Sequence, residues 1–316
     1  MSFSITHEKD EDLDLLQITD LTTGIQVRVL PDAGALLHEF SIPLGNRRIQ
    51  VINSYKNQDD LKKNFSFYKS AKLSPFVCRI SEGRYDFEGI SYEFMNKFND
   101  GSAIHGILAD KPFAVLEKFS CQDHASILLE YHYQKEDPAY PFEYLINVKY
   151  TLKTGGRLML ETTVKNLSNR RIPIADGWHP YFSLEGRVNE WLLSFHSKKK
   201  LAFNDKLIPL GHAIETSEFY SPRQIGDAFF DNCFLLEPDS GSSAATLENP
   251  ENGLRLLFFP DKHYPYLQIY TPEDRKSIAI ENLSSAPDAF NNGMGLIILE
   301  PGSSQSFSVL YQLEFR

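Results

Sequence analysis

Two short segments about a hundred residues apart hold the residues best suited to moving protons. Asp176-Gly177-Trp178-His179-Pro180-Tyr181-Phe182 carries an imidazole among aromatic rings, and Ile278-Ala279-Ile280-Glu281-Asn282 ends a β-branched run on a carboxylate. A histidine and a glutamate form a minimal general acid–base pair. Rings beside them suit the C–H faces of a sugar. Pro180 stiffens the chain next to His179 and so would fix where its imidazole points. A lone histidine is equally at home as a structural residue bonding a carbonyl, and Glu281 could be an ordinary exposed strand residue.

Further polar groups sit among rings or at turns. In Tyr266-Leu267-Gln268-Ile269-Tyr270, alternation puts Tyr266, Gln268 and Tyr270 on one face, a pattern suited to binding hydroxyls and also found in edge strands. Asp231 lies between rings in Phe229-Phe230-Asp231-Asn232-Cys233-Phe234, where it could hold hydroxyls or cap a turn. Arg79 precedes the turn Ser81-Glu82-Gly83, and His105 precedes Gly106, which would let a ligand approach the backbone closely. In the Glu281 strand, Ile278 and Ile280 are expected to face the core. Ser277, Ala279 and Glu281 would then floor a wet cleft.

Several chemistries lack their signatures. There is no GxGxxG or GxxxxGK[ST] phosphate loop, no HExxH and no GxSxG elbow, so no nucleotide cofactor and no catalytic metal are expected. The other histidines, His7, His38, His124, His132, His196, His212 and His263, show no ligand spacing. Cys78, Cys121 and Cys233 are odd in number and far apart, which fits neither a disulfide framework nor a zinc site. Net charge of −10, from 32 basic and 42 acidic residues, argues against a nucleic-acid partner. Lys198-Lys199-Lys200 reads as a solvated loop. No apolar stretch reaches membrane-spanning length, so no membrane partner is expected. The opening Met1–Asp10 stretch turns acidic without a hydrophobic signal core, and a cytoplasmic protein is expected.

The elements that must position these groups are strands. Tyr144, Ile146, Val148 and Tyr150 alternate with polar residues, as do Leu158, Leu160, Thr162 and Val164, and Lys153-Thr154-Gly155-Gly156 between them reads as a hairpin turn. Residues 307–315 alternate after a Pro301-Gly302 turn, and further strands are expected over 127–133, 191–195, 254–259, 267–270 and 278–281. One short polar helix is expected near 57–64. An aromatic content of 13%, with 23 Phe and 15 Tyr, favours strands too. Without a low-complexity linker or internal repeat, residues 1–316 read as a single all-β domain, a large and mostly antiparallel sandwich.

Taken in order, these segments resemble the aldose 1-epimerase (galactose mutarotase-like) family. The resemblance is carried by Arg79 in an aromatic-and-glycine turn, His105-Gly106, His179-Pro180-Tyr181-Phe182, Asp231-Asn232-Cys233-Phe234, Gln268-Ile269-Tyr270-Thr271, Glu281-Asn282 and the Pro301-Gly302 before the last strand. It implies a β-supersandwich with its site in an open cleft. Glu281 would be the general base, His179 the general acid, and Arg79, His105, Asp231 and Gln268 the sugar-binding residues. The implied partner is a small-molecule sugar, and the implied assembly a monomer or homodimer. Glu281 would take the anomeric proton while a protonated His179 protonates the ring oxygen, with an optimum near neutral pH. Two segments depart from typical galactose mutarotases: His105-Gly106-Ile107 stands for His-Gly-Gly, and Tyr181-Phe182-Ser183-Leu184 for Tyr-Phe-Asn-Leu. Both leave the acid and base as they are and bear on the preferred sugar.

Three other functions fit parts of the pattern. A hexose-6-phosphate epimerase would need cations for the phosphate, for which Lys69, Lys72 and Arg84 are available. A non-catalytic sugar-binding protein would keep the rings without needing His179 and Glu281. A glycosidase would use Asp231 and Glu281 as paired carboxylates.

Overall fold

Alternation with a period of two dominates the chain, and the structure converts it into sheets. The structure is a computed structural model and describes residues 2–237 and 241–316. Tyr144–Lys153 and Arg157–Asn166 form the central hairpin, with Tyr144, Ile146, Val148 and Tyr150 wholly buried. Its turn is closed by Gly155 and Gly156, both at positive φ (77° and 68°), a conformation that glycine adopts without a Cβ penalty.

This hairpin belongs to a nine-stranded sheet that includes Ser304–Phe315 and Leu254–Pro260. An eight-stranded sheet holds Pro209–Glu215, Lys199–Phe203, Asp231–Leu235, Tyr266–Tyr270, Ile278–Leu283, Gly177–Trp178 and Lys72–Leu73 in that spatial order, with Tyr181–Phe182 also pairing to Ile278–Leu283. A five-stranded sheet runs in chain order from Phe3–Asp10 to Arg47–Gln50. Among the described residues every pairing is antiparallel, and one continuous apolar core joins the three sheets. Phe182, for example, meets Phe258 and Tyr311 edge-on at 5.0 and 5.4 Å. The fold is the all-β, mostly antiparallel supersandwich expected from the sequence.

Helix is confined to short pieces. Gln58–Lys63 lies where a polar helix was expected; Asn57 caps it by accepting from the Asp60 amide at 2.8 Å. Among the described residues, no helix is long and apolar enough to cross a membrane. The lysine triplet corrects the loop reading. Lys199 and Lys200 open a strand, while exposed Lys198 pairs with Glu237 at 3.3 Å.

Candidate active site

Three adjacent strands of the eight-stranded sheet form the floor of the site. Their register aligns Cys233 with Gln268 and Gln268 with Glu281, and places Asp231 opposite Tyr270. Gln268 Nε2 donates to Asp231 Oδ1 at 2.9 Å, which ties the two hydroxyl-binding candidates together. Ile278 and Ile280 face the core as alternation demands. The opposite face differs from expectation. Ser277 and Ala279 are buried away from the cleft, and Glu281 is only 1% exposed, so its carboxylate sits at the bottom of a closed floor rather than on a wet surface.

His179 enters from the side, on the chain between Gly177–Trp178 and Tyr181–Phe182. Its backbone is held from both directions, its amide donating to Ala71 O at 3.1 Å and its carbonyl accepting from the Ser70 amide at 2.8 Å. Its Nε2 lies 3.4 Å from Glu281 Oε1. The imidazole stacks on Tyr181 (5.0 Å between centroids, 18° between planes) and meets His105 edge-on at 4.8 Å. Tyr68 packs on His105 in turn, also at 4.8 Å. Tyr181 and His105 therefore fix the tilt of His179, with Tyr68 backing His105.

The neighbours of that motif serve a different purpose from the one expected. Trp178 is not a sugar platform. It is buried in the core against Tyr150, with Lys72 Nζ 4.5 Å above its ring. Lys72 is wholly buried and donates to Asp176 Oδ1 at 2.6 Å and to Gly177 O at 2.8 Å, and Tyr264 donates to the same Asp176 oxygen. Burial lowers the Lys72 ammonium to about 8 and raises the Asp176 carboxyl, while their mutual attraction opposes both shifts. This network anchors the strand that leads into His179. The rings that do line the cleft are Tyr181 and Tyr270, with Phe67, Phe98 and Phe203 from segments without a recognisable sequence signal.

Arg79, His105, His179, Asp231, Gln268 and Glu281 come from six segments and all line this one cleft, of about 280 Å³. Arg79 Nη1 donates to Asp100 Oδ2 at 2.6 Å. His105 adopts a positive φ of 60°, its amide bound to Cys78 O. Gly106 corrects another expectation. A Cβ there would lie 2.2 Å from Ser74 O, so this glycine accommodates the protein's own backbone rather than a ligand. Lys69, Lys72 and Arg84 do not reach the cleft: Lys69 binds Asn53, Lys72 is buried with Asp176, and Arg84 pairs with Glu93 outside. Arg79 is the single Lys or Arg among the described lining residues.

Burial sets the electrostatics. It raises the Glu281 carboxyl well above its ordinary 4.5, helped by the nearby Asp231 charge, and it lowers the His179 imidazole from 6.5 to about 4. Burial in the cleft thus favours the carboxylic acid beside the neutral imidazole. Burial also raises Asp231, opposed by Arg79 and Gln268, and lowers His105, with repulsion from His179 and Arg79 adding to the effect. His105 Nδ1, His179 Nδ1, Gln268 Oε1 and Glu281 Oε2 are buried without a protein partner. Buried polar atoms ordinarily find partners, so four unpaired ones on residues lining one cleft fit a polyhydroxylated ligand.

The same geometry gathers metal-type donors that sequence spacing did not foreshadow. One donor atom each of His105, His179 and Glu281 lies within 4.8 Å of the others, so among the described residues this trio is the one able to hold an ion. Sequence spacing misses it because the three stand on different strands and loops.

Comparison with known proteins agrees with this architecture. The family model described as aldose 1-epimerase matches residues 17–312. The chain is 27% identical to the uncharacterized protein YihR of Escherichia coli K12 over 73% of this chain and 74% of that protein. It is 23% identical to the maltose epimerase of Levilactobacillus brevis over 92% of each. A galactose mutarotase-like protein from Clostridium acetobutylicum superposes with a TM-score of 0.88 at 21% identity, covering 100% of this chain and 99% of the other.

Proposed function

The chain belongs to the aldose 1-epimerase family, and from that premise we propose that it interconverts the α and β anomers of a free aldohexose by acid–base ring opening and closure. The observation that carries this reading is the 3.4 Å approach of His179 Nε2 to Glu281 Oε1 at the floor of the cleft. Two proton-transfer groups so close can both reach the anomeric hydroxyl and the ring oxygen, which share one carbon.

The pair holds a single exchangeable proton in either of two arrangements. One is the carboxylic acid beside neutral imidazole, the other carboxylate beside imidazolium. In the second, Glu281 removes the proton from O1 as the C1–O5 bond breaks, and His179 protonates O5. The product is the open-chain aldehyde with the pair in the first arrangement, the one burial favours. Rotation about C1–C2 presents the other carbonyl face. Closure then returns the O5 proton to His179 and the Glu281 proton to O1. Asp231, Gln268, His105 and Arg79 hold the remaining hydroxyls, and Tyr181 and Tyr270 contact C–H faces. Acid–base assistance of about 10²- to 10⁴-fold suffices for a reaction that already proceeds unaided, so no metal is required by this mechanism.

A free sugar is favoured over a sugar phosphate because Arg79, the single Lys or Arg among the described lining residues, is already engaged by Asp100. The glycosidase reading is weaker, since the close partner of Glu281 is an imidazole and not a second carboxylate. Polarimetry of freshly dissolved glucose, galactose and glucose 6-phosphate, beside hydrolysis of nitrophenyl glycosides, tests the assignment. Anomerisation of a free sugar above the buffer rate is expected. Glycoside cleavage without anomerisation, or a much higher kcat/KM for the phosphate, overturns it.

A further inference from the structure

His105, His179 and Glu281 share a geometry that proton transfer does not require. His179 Nε2 and Glu281 Oε1 stand 3.4 Å apart, beyond the usual length of a hydrogen bond. A tetrahedral ion bound at about 2.0–2.2 Å holds its ligands about 3.4 Å from one another. The separation is thus that of two ligands around a common ion. His105 supplies a third donor, within 4.8 Å of the other two. Closing that gap takes a swing of its ring, whose Nδ1 is buried without a partner and so gives up no protein hydrogen bond.

The donor set selects the class of ion. Two imidazoles and one carboxylate suit borderline divalent ions such as Zn²⁺, whereas Mg²⁺ and Ca²⁺ take oxygen ligands. The charges match a dication. Glu281 and Asp231, when ionised, carry two negative charges, and Asp231 stands close enough to act on the Glu281 carboxyl. Arg79, the single Lys or Arg among the described lining residues, is bound to Asp100 at 2.6 Å. The cleft of about 280 Å³ leaves room for a water as fourth ligand.

The surroundings of the trio distinguish a passing ion from a permanent one. Centres that keep their metal brace each ligating imidazole through its other nitrogen, by a carboxylate, a carbonyl or water. His179 would ligate through Nε2, and its buried Nδ1 has no partner among the described residues. An ion held without that support binds reversibly.

We propose that His105, His179 and Glu281 form a reversible site for a borderline divalent ion such as Zn²⁺, and that the bound ion excludes the sugar. The ion takes the Nε2 lone pair and the carboxylate oxygen that proton transfer uses, so it competes with substrate instead of assisting it. Ion binding needs only the three donors, while the inhibition rests on the epimerase reading.

Equilibrium dialysis with Zn²⁺ should find one ion per chain that glucose displaces, and Co²⁺ in its place should show the intense visible bands of a tetrahedral centre. In polarimetry Zn²⁺ should raise the apparent KM for glucose with kcat unchanged, and a chelator should restore the rate in full. Glu281→Gln, and His105→Gln with its melting temperature checked without metal, should each weaken Zn²⁺ binding by at least the about 10- to 100-fold that loss of a supporting group costs. Cys121 Sγ lies 3.3 Å from His124 Nδ1, a second zinc-type donor pair, and Cys121→Ser separates it from the trio. That variant should keep the competition between Zn²⁺ and glucose. No glucose-displaceable ion, activation by Zn²⁺, a lowered kcat at unchanged KM, unchanged binding in both trio variants, or competition lost in Cys121→Ser overturns the site. Failure to anomerise any sugar in the absence of metal instead refutes the epimerase reading; the Co²⁺ bands, and their loss in the trio variants, then decide the ion site on their own.

Discussion

Replacing Glu281 with glutamine tests both the chemistry and the electrostatics in one variant. Glutamine has the volume of the carboxylic acid that burial favours and stays neutral, so the floor of the cleft should keep its shape. It cannot accept the O1 proton. Loss of the base should lower kcat by about 10²- to 10⁴-fold, or about 2.7–5.4 kcal/mol at 1.36 kcal/mol per decade, with KM changed far less. Stability should move the other way. The folded pKa of Glu281 is raised above the unfolded 4.5, so the native state binds more protons once pH exceeds 4.5. Its favourable contribution is complete below pH 4.5 and is lost as pH rises toward the folded value. Glutamine has no such loss. The melting temperature of the variant minus that of the wild type should therefore increase from pH 5 to pH 8. Polarimetry and thermal unfolding monitored by circular dichroism read the two effects. A kcat within tenfold of wild type removes Glu281 from the mechanism, and a melting difference that shrinks with pH refutes the burial argument.

Four more outcomes are expected. The acid limb of the kcat/KM profile should fall near pH 4, where His179 takes a second proton onto the pair, and a limb at the ordinary 6.5 would mean that His179 is not desolvated. Asp231→Asn should raise KM with little change in kcat if Asp231 only holds hydroxyls, as proposed; a kcat loss as large as that of Glu281→Gln would make it a catalytic group. Lys72→Met leaves Asp176 buried without its ammonium and should cost about 3–5 kcal/mol; at ~2.1 cal/mol/K per residue this is a fall in Tm of about 5–8 °C, and an unchanged Tm would mean that the pair contributes nothing. Prolonged dialysis against a chelator should leave the rate of anomerisation intact, whereas a loss restored by one divalent ion would assign the donors of His105, His179 and Glu281 to a metal.

The legible parts of this chain are those where one face is buried and the other wet. Tyr144–Lys153 and Arg157–Asn166 show clean alternation for that reason. The five-stranded sheet of residues 3–50 gave no such signal, because Leu13–Asp20 and Leu36–Leu44 are buried on both faces and alternation disappears. The same effect hid the setting of Glu281, whose strand is buried at all six positions. Residue type pointed to proton transfer and hydroxyl binding, but not to which rings would face the ligand. Trp178 turned to the core while Phe67 and Phe98, which carry no local pattern, reached the rim. Lys72 could be read as a phosphate ligand because sequence does not disclose that Asp176 and Tyr264 would enclose it.

The contact between His179 and Glu281 has a consequence for the whole turnover. In the proposed mechanism one proton leaves O1 and one arrives at O5, and closure runs the same exchange backwards on the opposite face, so the pair finishes a cycle in the state in which it began. Nothing has to be reloaded from solvent before the next sugar enters, and both directions of reaction start from the same carboxylate–imidazolium form of the pair. A catalyst of an equilibrium between two nearly identical molecules is thereby ready for either one, and the direction of flux is left entirely to the concentrations of the two anomers.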